Sequence, residues 1–482
     1  MNRRGFLVGG AAAPMLNAQQ PRPAQPRRQP NIILLLSDDH SAPYLGCYGD
    51  PVVRTPHLDK FASQGMRFDR AFTAAPQCVP SRTALMTGRS PVSARMGRFS
   101  SPLPPDIITM PERLREAGYF TGICGRLYHL DGPGVDRWNP VTREIIDRHG
   151  MMTFSKRVDF LDATGQPRLI ERINTFFDQK PADKPFFLWA NFGDPHHVWD
   201  AQGSGGAVDP GKVRLPAQLP DLPGVRGDMA RYLAEIEHLD ADFSRVLQTI
   251  EKRAPDDNTI VVFMGDNGMA FPHGKGSLYD PGSNVPLMMR WPGMIQPGTS
   301  NRALFSGEDL APTLLDAAGL TAIKGMTGRS YLPLLRGQPQ QARRYLFGAR
   351  LAHGNAAYSA ETMASEWDQS RMVRSDRYKL IYNCTPWMEY QPVDSMRDPG
   401  WLQIKAAHAD KLLKPEHDRA YFTRPRPIVE LYDLDADPAE LTNLAGKPEM
   451  AAVERELKTA LQEKMIIDYD FLPLPLGATE GR

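Results

Sequence analysis

Cys78-Val79-Pro80-Ser81-Arg82 sets a sulfur nucleophile close to a guanidinium, and Thr83 to Gly88 and Arg89 follow as a short helix ending at Gly88. That places Cys78 just before a helix N-terminus, where backbone N–H groups favour anions. In an arbitrary context such a cysteine is a buried or low-pKa thiol. Asp38 and Asp39 stand side by side and repel unless a cation or solvent intervenes; their hard oxygens suit calcium or magnesium. Alone, the pair reads as a turn or helix cap. Asp266 and Asn267, in Gly265-Asp266-Asn267-Gly268, add a third carboxylate and an amide oxygen, so that four oxygen donors can converge. Asp194-Pro195-His196-His197 and Lys275 supply groups that can move protons or neutralise an anion.

These residues need a scaffold that brings distant segments together. Asn31 to Leu36, Phe120 to Cys124, Phe186 to Ala190 and Thr259 to Met264 are continuous apolar runs, the pattern of strands buried on both faces of a parallel sheet. Helical patterns lie between them at Leu58 to Gln64, Pro111 to Ala117, Leu169 to Phe177 and about Met229 to Lys252. The alternation predicts an α/β fold with a large, doubly wound, mostly parallel sheet flanked by helices. Ligands gather at the carboxyl ends of such strands, where Asp38, Asp39, Asp194, His196, Asp266 and Asn267 all fall. Beyond about residue 345, Arg371 to Tyr382 and Ile428 to Asp433 alternate like antiparallel strands, and Glu449 to Lys464 reads as a terminal helix. We expect three regions: 1–28, a signal and linker; 29–345, a catalytic domain; and 346–482, a smaller α+β subdomain. Trp387 to Arg426 yields no assignment.

The 482 residues are 41% hydrophobic, enough for a large core, and the formal charge of +1 gives no global field toward nucleic acid or an anionic membrane. Met1-Asn2-Arg3-Arg4-Gly5-Phe6-Leu7, followed by the apolar run to Leu16 and by Leu16-Asn17-Ala18, reads as a twin-arginine export signal. It predicts a periplasmic or secreted bacterial protein, with the twin-arginine translocase as a partner and no membrane span after processing. Residues 19–30 are rich in Pro, Gln and Arg and read as an extended linker. Cys47, Cys78, Cys124 and Cys384 are too few for a disulfide scaffold, and Cys124, inside an apolar strand, reads as a buried thiol.

Cys78-x-Pro80-x-Arg82, extended by Ser81 and Thr87-Gly88-Arg89, resembles the signature by which sulfatases have a cysteine oxidised to formylglycine. The resemblance to type I, formylglycine-dependent sulfatases of the alkaline phosphatase superfamily covers nearly the whole chain after the linker. Asn31 to His40, Thr55-Pro56-His57-Leu58-Asp59, Gly118 to His129, Tyr378-Lys379-Leu380 and Glu430 to Pro438 each look like a family segment. The resemblance implies one calcium ion held by Asp38, Asp39, Asp266 and Asn267 together with an oxygen at position 78, where Cys78 becomes 3-oxoalanine. It implies that Arg82 stabilises the hydrated aldehyde, that Arg126, Lys275 and His196 bind the sulfate, and that His129 and His196 move protons. It also implies a formylglycine-generating enzyme as a maturation partner. Arg126 replaces the usual lysine, an extra residue precedes His129, and Asp280 stands where glutamate is usual. The family's Pro-His pairing selects His196 over His197.

The chemistry so implied is covalent. One hydroxyl of the hydrated aldehyde attacks sulfur while calcium, Arg126 and Lys275 neutralise the sulfate oxygens and His196 protonates the leaving group. With His129 as base, the second hydroxyl then loses its proton, inorganic sulfate departs and the aldehyde returns. Asp266 to Gly282 and Gly193 to His196 look like the sulfamidase branch, whereas the Arg126 to His129 spacing leans towards the iduronate-2-sulfatase type. A sulfated carbohydrate, O- or N-sulfated, is the expected substrate. Two other readings stand beside this one: a phosphodiesterase or phosphonate monoester hydrolase of the same superfamily, and a non-catalytic glycan-binding protein.

Overall fold

Asn31–Ser37 forms the strand β1, buried at every position because helices cover the sheet on both faces. The computed structural model describes residues 29–97, 102–125, 129–131, 140–163, 168–200, 207–255, 257–353 and 367–475. The expected export signal and Arg126 lie outside the described residues. Further strands are β2 (Met66–Phe68), β3 (Ala71–Phe72), β4 (Phe120–Gly125), β5 (Phe160–Asp162), β6 (Phe186–Asn191), β7 (Thr259–Gly265), β8 (Leu287–Arg290), β9 (Thr299–Asn301) and β10 (Phe305–Ser306). Eight of them form one sheet in the order β5-β4-β6-β1-β7-β8-β2-β9, in which β8 alone runs against its neighbours. β3 and β10 pair separately.

Alternate residues of β1 feed two cores. Ile33 and Leu35 pack with the helices Pro56–Ser63, Leu169–Gln179 and Pro223–Arg253, while Ile32, Leu34 and Leu36 pack with Met110–Glu116 and Leu310–Ala317. The four strands and four helices expected from the apolar runs and their periodicity are all present. The long helix starts earlier than its amphipathic pattern, at Pro223, because a proline in the first turn forgoes no helical hydrogen bond.

A second, antiparallel sheet has the order β11 (Leu346–Arg350), β12 (Ser370–Arg374), β13 (Tyr378–Asn383) and β14 (Val429–Asp433). The helix Ala451–Ile467 covers one face through Leu457, Leu461 and Met465. On the other face Met372, Ile381 and Tyr432 pack against Leu278, which follows Lys275 in the chain. Buried Lys379, from the Tyr378-Lys379-Leu380 segment, locks this junction by pairing with Asp280 at 2.6 Å and Glu440 at 2.7 Å. The unassigned stretch from Trp387 to Arg426 contains two helices, Pro399–Ala409 and Pro415–Phe422. The pattern of the first is weak because apolar residues stand on both sides of it, Leu402, Ala406 and Ala409 exposed and Trp401, Ile404 and Ala407 buried. The described cysteines are free, and Cys124 is fully buried.

Candidate active site

Strand register builds the site. Ser37 lies opposite Gly265 and Leu36 opposite Asn191, so β1, β7 and β6 end together at one edge of the sheet. Asp38 and Asp39, Asp266 and Asn267, and the segment leading to His196 leave from that edge. Backbone bonds fix their entry: Asp266 N donates to Ser37 O at 3.0 Å, and Asp38 N to Asp194 O at 3.2 Å. Gly268 is required behind them, since a Cβ there would lie 1.9 Å from Pro281 O. His129 follows β4 on the same edge, with a φ of 58°.

Cys78 is the first residue of the wholly buried helix Cys78–Thr87 rather than the residue before it. Gly88 ends this helix at a φ of 63°, as expected, with its N–H on Ala84 O. Gln77 anchors the start: its amide donates to Leu351 O and accepts from Leu351 N, both at 2.9 Å. Cys78 Sγ therefore stands 3.5 Å from Asp38 Oδ1. Burial raises the thiol well above its usual pKa range, so the encoded cysteine is protonated.

Arg82 is fully buried and divides its guanidinium between Asp266 Oδ2 at 2.9 Å, Asp38 Oδ2 at 3.2 Å and Asn191 Oδ1 at 3.1 Å. Asp39 accepts from Asn267 Nδ2 at 2.8 Å and from Lys275 Nζ at 2.8 Å. Lys275 Nζ also lies 3.3 Å from His196 Nε2. Burial, reinforced by Asp38 but opposed by Lys275, pushes Asp39 up to about 6; burial and Asp38, opposed by Arg82, push Asp266 up to about 7. Burial disfavours the charge on Lys275, yet Asp39 and Asp394 outweigh it and hold its pKa well above the usual range.

Ligand atoms of Asp38, Asp39, Cys78 and His196 all lie within 4.8 Å of one another. Asp266 and Asn267 adjoin this group, and Asn267 Oδ1 is a buried acceptor with no hydrogen-bond partner. Three crowded carboxylates and a spare amide oxygen fit a hard divalent cation. The structure thus brings together Asp38, Asp39, Cys78, Arg82, His196, Asp266, Asn267 and Lys275.

His197 points elsewhere, its Nε2 lying 2.9 Å from Asp398 Oδ2. His273 is a buried packing residue stacked on Tyr279, and burial lowers it to about 3. The reading of the sequence missed Asp394. Its Oδ2 lies 2.6 Å from Lys275 Nζ, but it sits in the unassigned stretch with no motif to mark it.

A sulfatase family model matches residues 30–320, and an N-sulphoglucosamine sulphohydrolase C-terminal model matches residues 271–419. An ulvan-active sulfatase of Formosa agariphila is 30% identical over 93% of this chain and 76% of its own. N-sulphoglucosamine sulphohydrolase of Homo sapiens is 29% identical, over 91% of this chain and 89% of its own. Among solved structures, a protein in complex with its substrate D-glucosamine-2-N,6-O-disulfate has a TM-score of 0.67 at 19% identity, covering 93% of this chain and 100% of that one. A phosphonate monoester hydrolase from Silicibacter pomeroyi also has a TM-score of 0.67, at 20% identity, covering 92% and 96%. At these identities the two structures establish the shared fold.

Proposed function

Because this chain belongs to the sulfatase family and is a hydrolase of organic sulfates, we propose that it acts on a sulfated carbohydrate using oxidised Cys78 and one bound calcium ion. The observation that carries this reading is the position of Cys78 Sγ, 3.5 Å from Asp38 at a helix start and inside the cluster of Asp39 and His196. An aldehyde hydrate at position 78 would supply the nucleophilic hydroxyl, and Asp38, Asp39, Asp266 and Asn267 would hold a calcium ion, which would supply positive charge to the sulfate oxygens.

The chain's own residues do the rest. Arg82, clamped between Asp38 and Asp266, keeps a permanent charge beside position 78 and orients its oxygen. Lys275 presents its ammonium to the sulfate, with Asp39 and Asp394 fixing its place. Nδ1 of His196 donates to the carbonyl of His197, which leaves Nε2 facing Lys275; with Nε2 also protonated, the imidazolium gives that proton to the departing oxygen or nitrogen and becomes neutral. His129 is the base at position 78, and Arg126 is a further sulfate ligand. Arg3 and Arg4 support twin-arginine export of the folded chain after Cys78 is oxidised by its maturation enzyme. No described helix is long and apolar enough to cross a membrane.

The test is the mass of the peptide containing Cys78 from protein made in its native host, followed by rates on ulvan oligosaccharides, N-sulphoglucosamine and matched sulfate and phosphate esters. Aldehyde at position 78 and a preference for sulfate are expected. An unmodified thiol in active, calcium-loaded protein overturns the mechanism, and faster phosphate ester cleavage favours the phosphorus-centred alternative.

A further inference from the structure

The loop between β13 and β14 places one side chain at the candidate site, Asp394. Its Oδ2 is 2.6 Å from Lys275 Nζ and 3.9 Å from His196 Nε2, and its Oδ1 is 3.7 Å from His353 Nε2. The loop is fixed on both sides of the paired histidines, because Asp398, four residues on, holds His197 at 2.9 Å. The exposures separate Asp394 from the other carboxylates: its side chain is 29% exposed, against 0% for Asp39 and 1% for Lys275. Asp39 therefore belongs to the floor of the site, whereas Asp394 and His353, 16% exposed, stand at its rim.

A carboxylate in that position has a definite chemical preference. The floor draws in one sulfate through Lys275, His196 and the expected cation. At the rim, Asp394 accepts hydrogen bonds from hydroxyl or amine groups and repels any second anion brought to the same place. His353, with Nε2 3.7 Å from Asp394 Oδ1, holds that carboxylate in place at the rim. A site built for densely sulfated chains would place cations there instead.

We propose that Asp394 and His353 form a hydroxyl-selecting rim, with Asp394 accepting from a substrate hydroxyl next to the scissile sulfate and disfavouring substrates that carry a second sulfate there. This deepens the carbohydrate sulfatase reading and rests on it. A charge-assisted hydrogen bond of this kind changes affinity roughly ten- to a hundredfold.

The test is calorimetry on the full-length, calcium-loaded Cys78→Ala chain, which cannot turn substrate over. The probes are 4-nitrophenyl sulfate, which has no hydroxyls, N-sulphoglucosamine, and glucosamine 2-N,3-O-disulfate, in which a second sulfate replaces the hydroxyl beside the N-sulfate. Asp394→Ala should lower the preference for N-sulphoglucosamine over the aryl sulfate by about tenfold or more. The milder Asp394→Asn should shift selection towards the disulfate by a similar factor, and His353→Ala should weaken N-sulphoglucosamine relative to the aryl sulfate. An equal change for all three probes overturns the proposal, because it assigns Asp394 only to positioning Lys275. Failure of both sugars to bind the Cys78→Ala chain also overturns it. Failure of the sulfatase mechanism is read separately, from the mass and turnover of the native protein.

Discussion

Arg82→Met replaces a buried cation by a shorter, unbranched apolar side chain, leaving Asp38 and Asp266 without the guanidinium now 3.2 and 2.9 Å away. Removing one partner of a buried ion pair typically costs about 3–5 kcal/mol, and that is the loss expected for the metal-free protein at pH 8. Asp266 limits the damage at lower pH. Burial already raises it to about 7, and loss of Arg82 raises it further. A carboxyl whose folded pKa exceeds its unfolded value stabilises fully below the unfolded value, and that stability is lost as pH rises through the folded one. The penalty must therefore be smaller at pH 5 than at pH 8. Calcium provides the second axis, since at a hundredfold excess over its Kd a ligand stabilises the native state by about 2.7 kcal/mol. If Arg82 and calcium neutralise the same carboxylates, the variant binds calcium more tightly, and by linkage the penalty shrinks when calcium is present. Urea unfolding at pH 5 and pH 8, with chelator or with calcium, measures the first two quantities, and calorimetry measures the affinity. A loss below about 1 kcal/mol in chelator, or a calcium affinity that does not rise, would falsify the view that Arg82 and the cation share these carboxylates.

Other outcomes follow from single contacts. His196→Ala should lower kcat by roughly 10²–10⁴-fold as a lost general acid, whereas His197→Ala, acting through Asp398, should change it far less; steady-state rates decide, and equal losses refute the assignment. The Asp398 carboxylate raises the pKa of His197, so the stability that the pair contributes is present in acid and lost as pH rises through the raised value. His197→Gln should accordingly destabilise more at pH 5.5 than at pH 8.5 in thermal unfolding, and a pH-independent difference contradicts this. Gly268→Ala puts a methyl group 1.9 Å from Pro281 O and should weaken calcium binding by displacing Asn267; unchanged affinity on titration refutes that link. Gly122→Ala meets the Phe176 ring at 2.4 Å and should cost about 1–3 kcal/mol by overpacking, read from urea midpoints, without altering the calcium site.

Much of the fold was legible because the central strands are buried on both faces and so must be apolar at every position. Such runs stand out along a chain, as Asn31–Ser37 and Thr259–Gly265 do. The cluster around Cys78 was legible for a related reason: polar residues that end such strands, Asp38, Asp39, Asp266 and Asn267, share one edge whatever the intervening loops. The helix Pro399–Ala409 was not, because Leu402, Ala406 and Ala409 on its exposed side are as apolar as buried Trp401, Ile404 and Ala407 and blur its periodicity. By itself, then, the sequence determined which residue types crowd the carboxyl edge of a mostly parallel sheet, since burial on both faces and strand–helix alternation follow from hydrophobic pattern, whereas the order of the strands came from the tertiary structure. The tertiary structure alone decided that Lys275 is held between Asp39 and Asp394, that His197 turns away to Asp398, and that a loop of the second sheet supplies the rim. Those pairings join residues 119 and 201 positions apart, through contacts that only packing of the two sheets creates and no local pattern encodes.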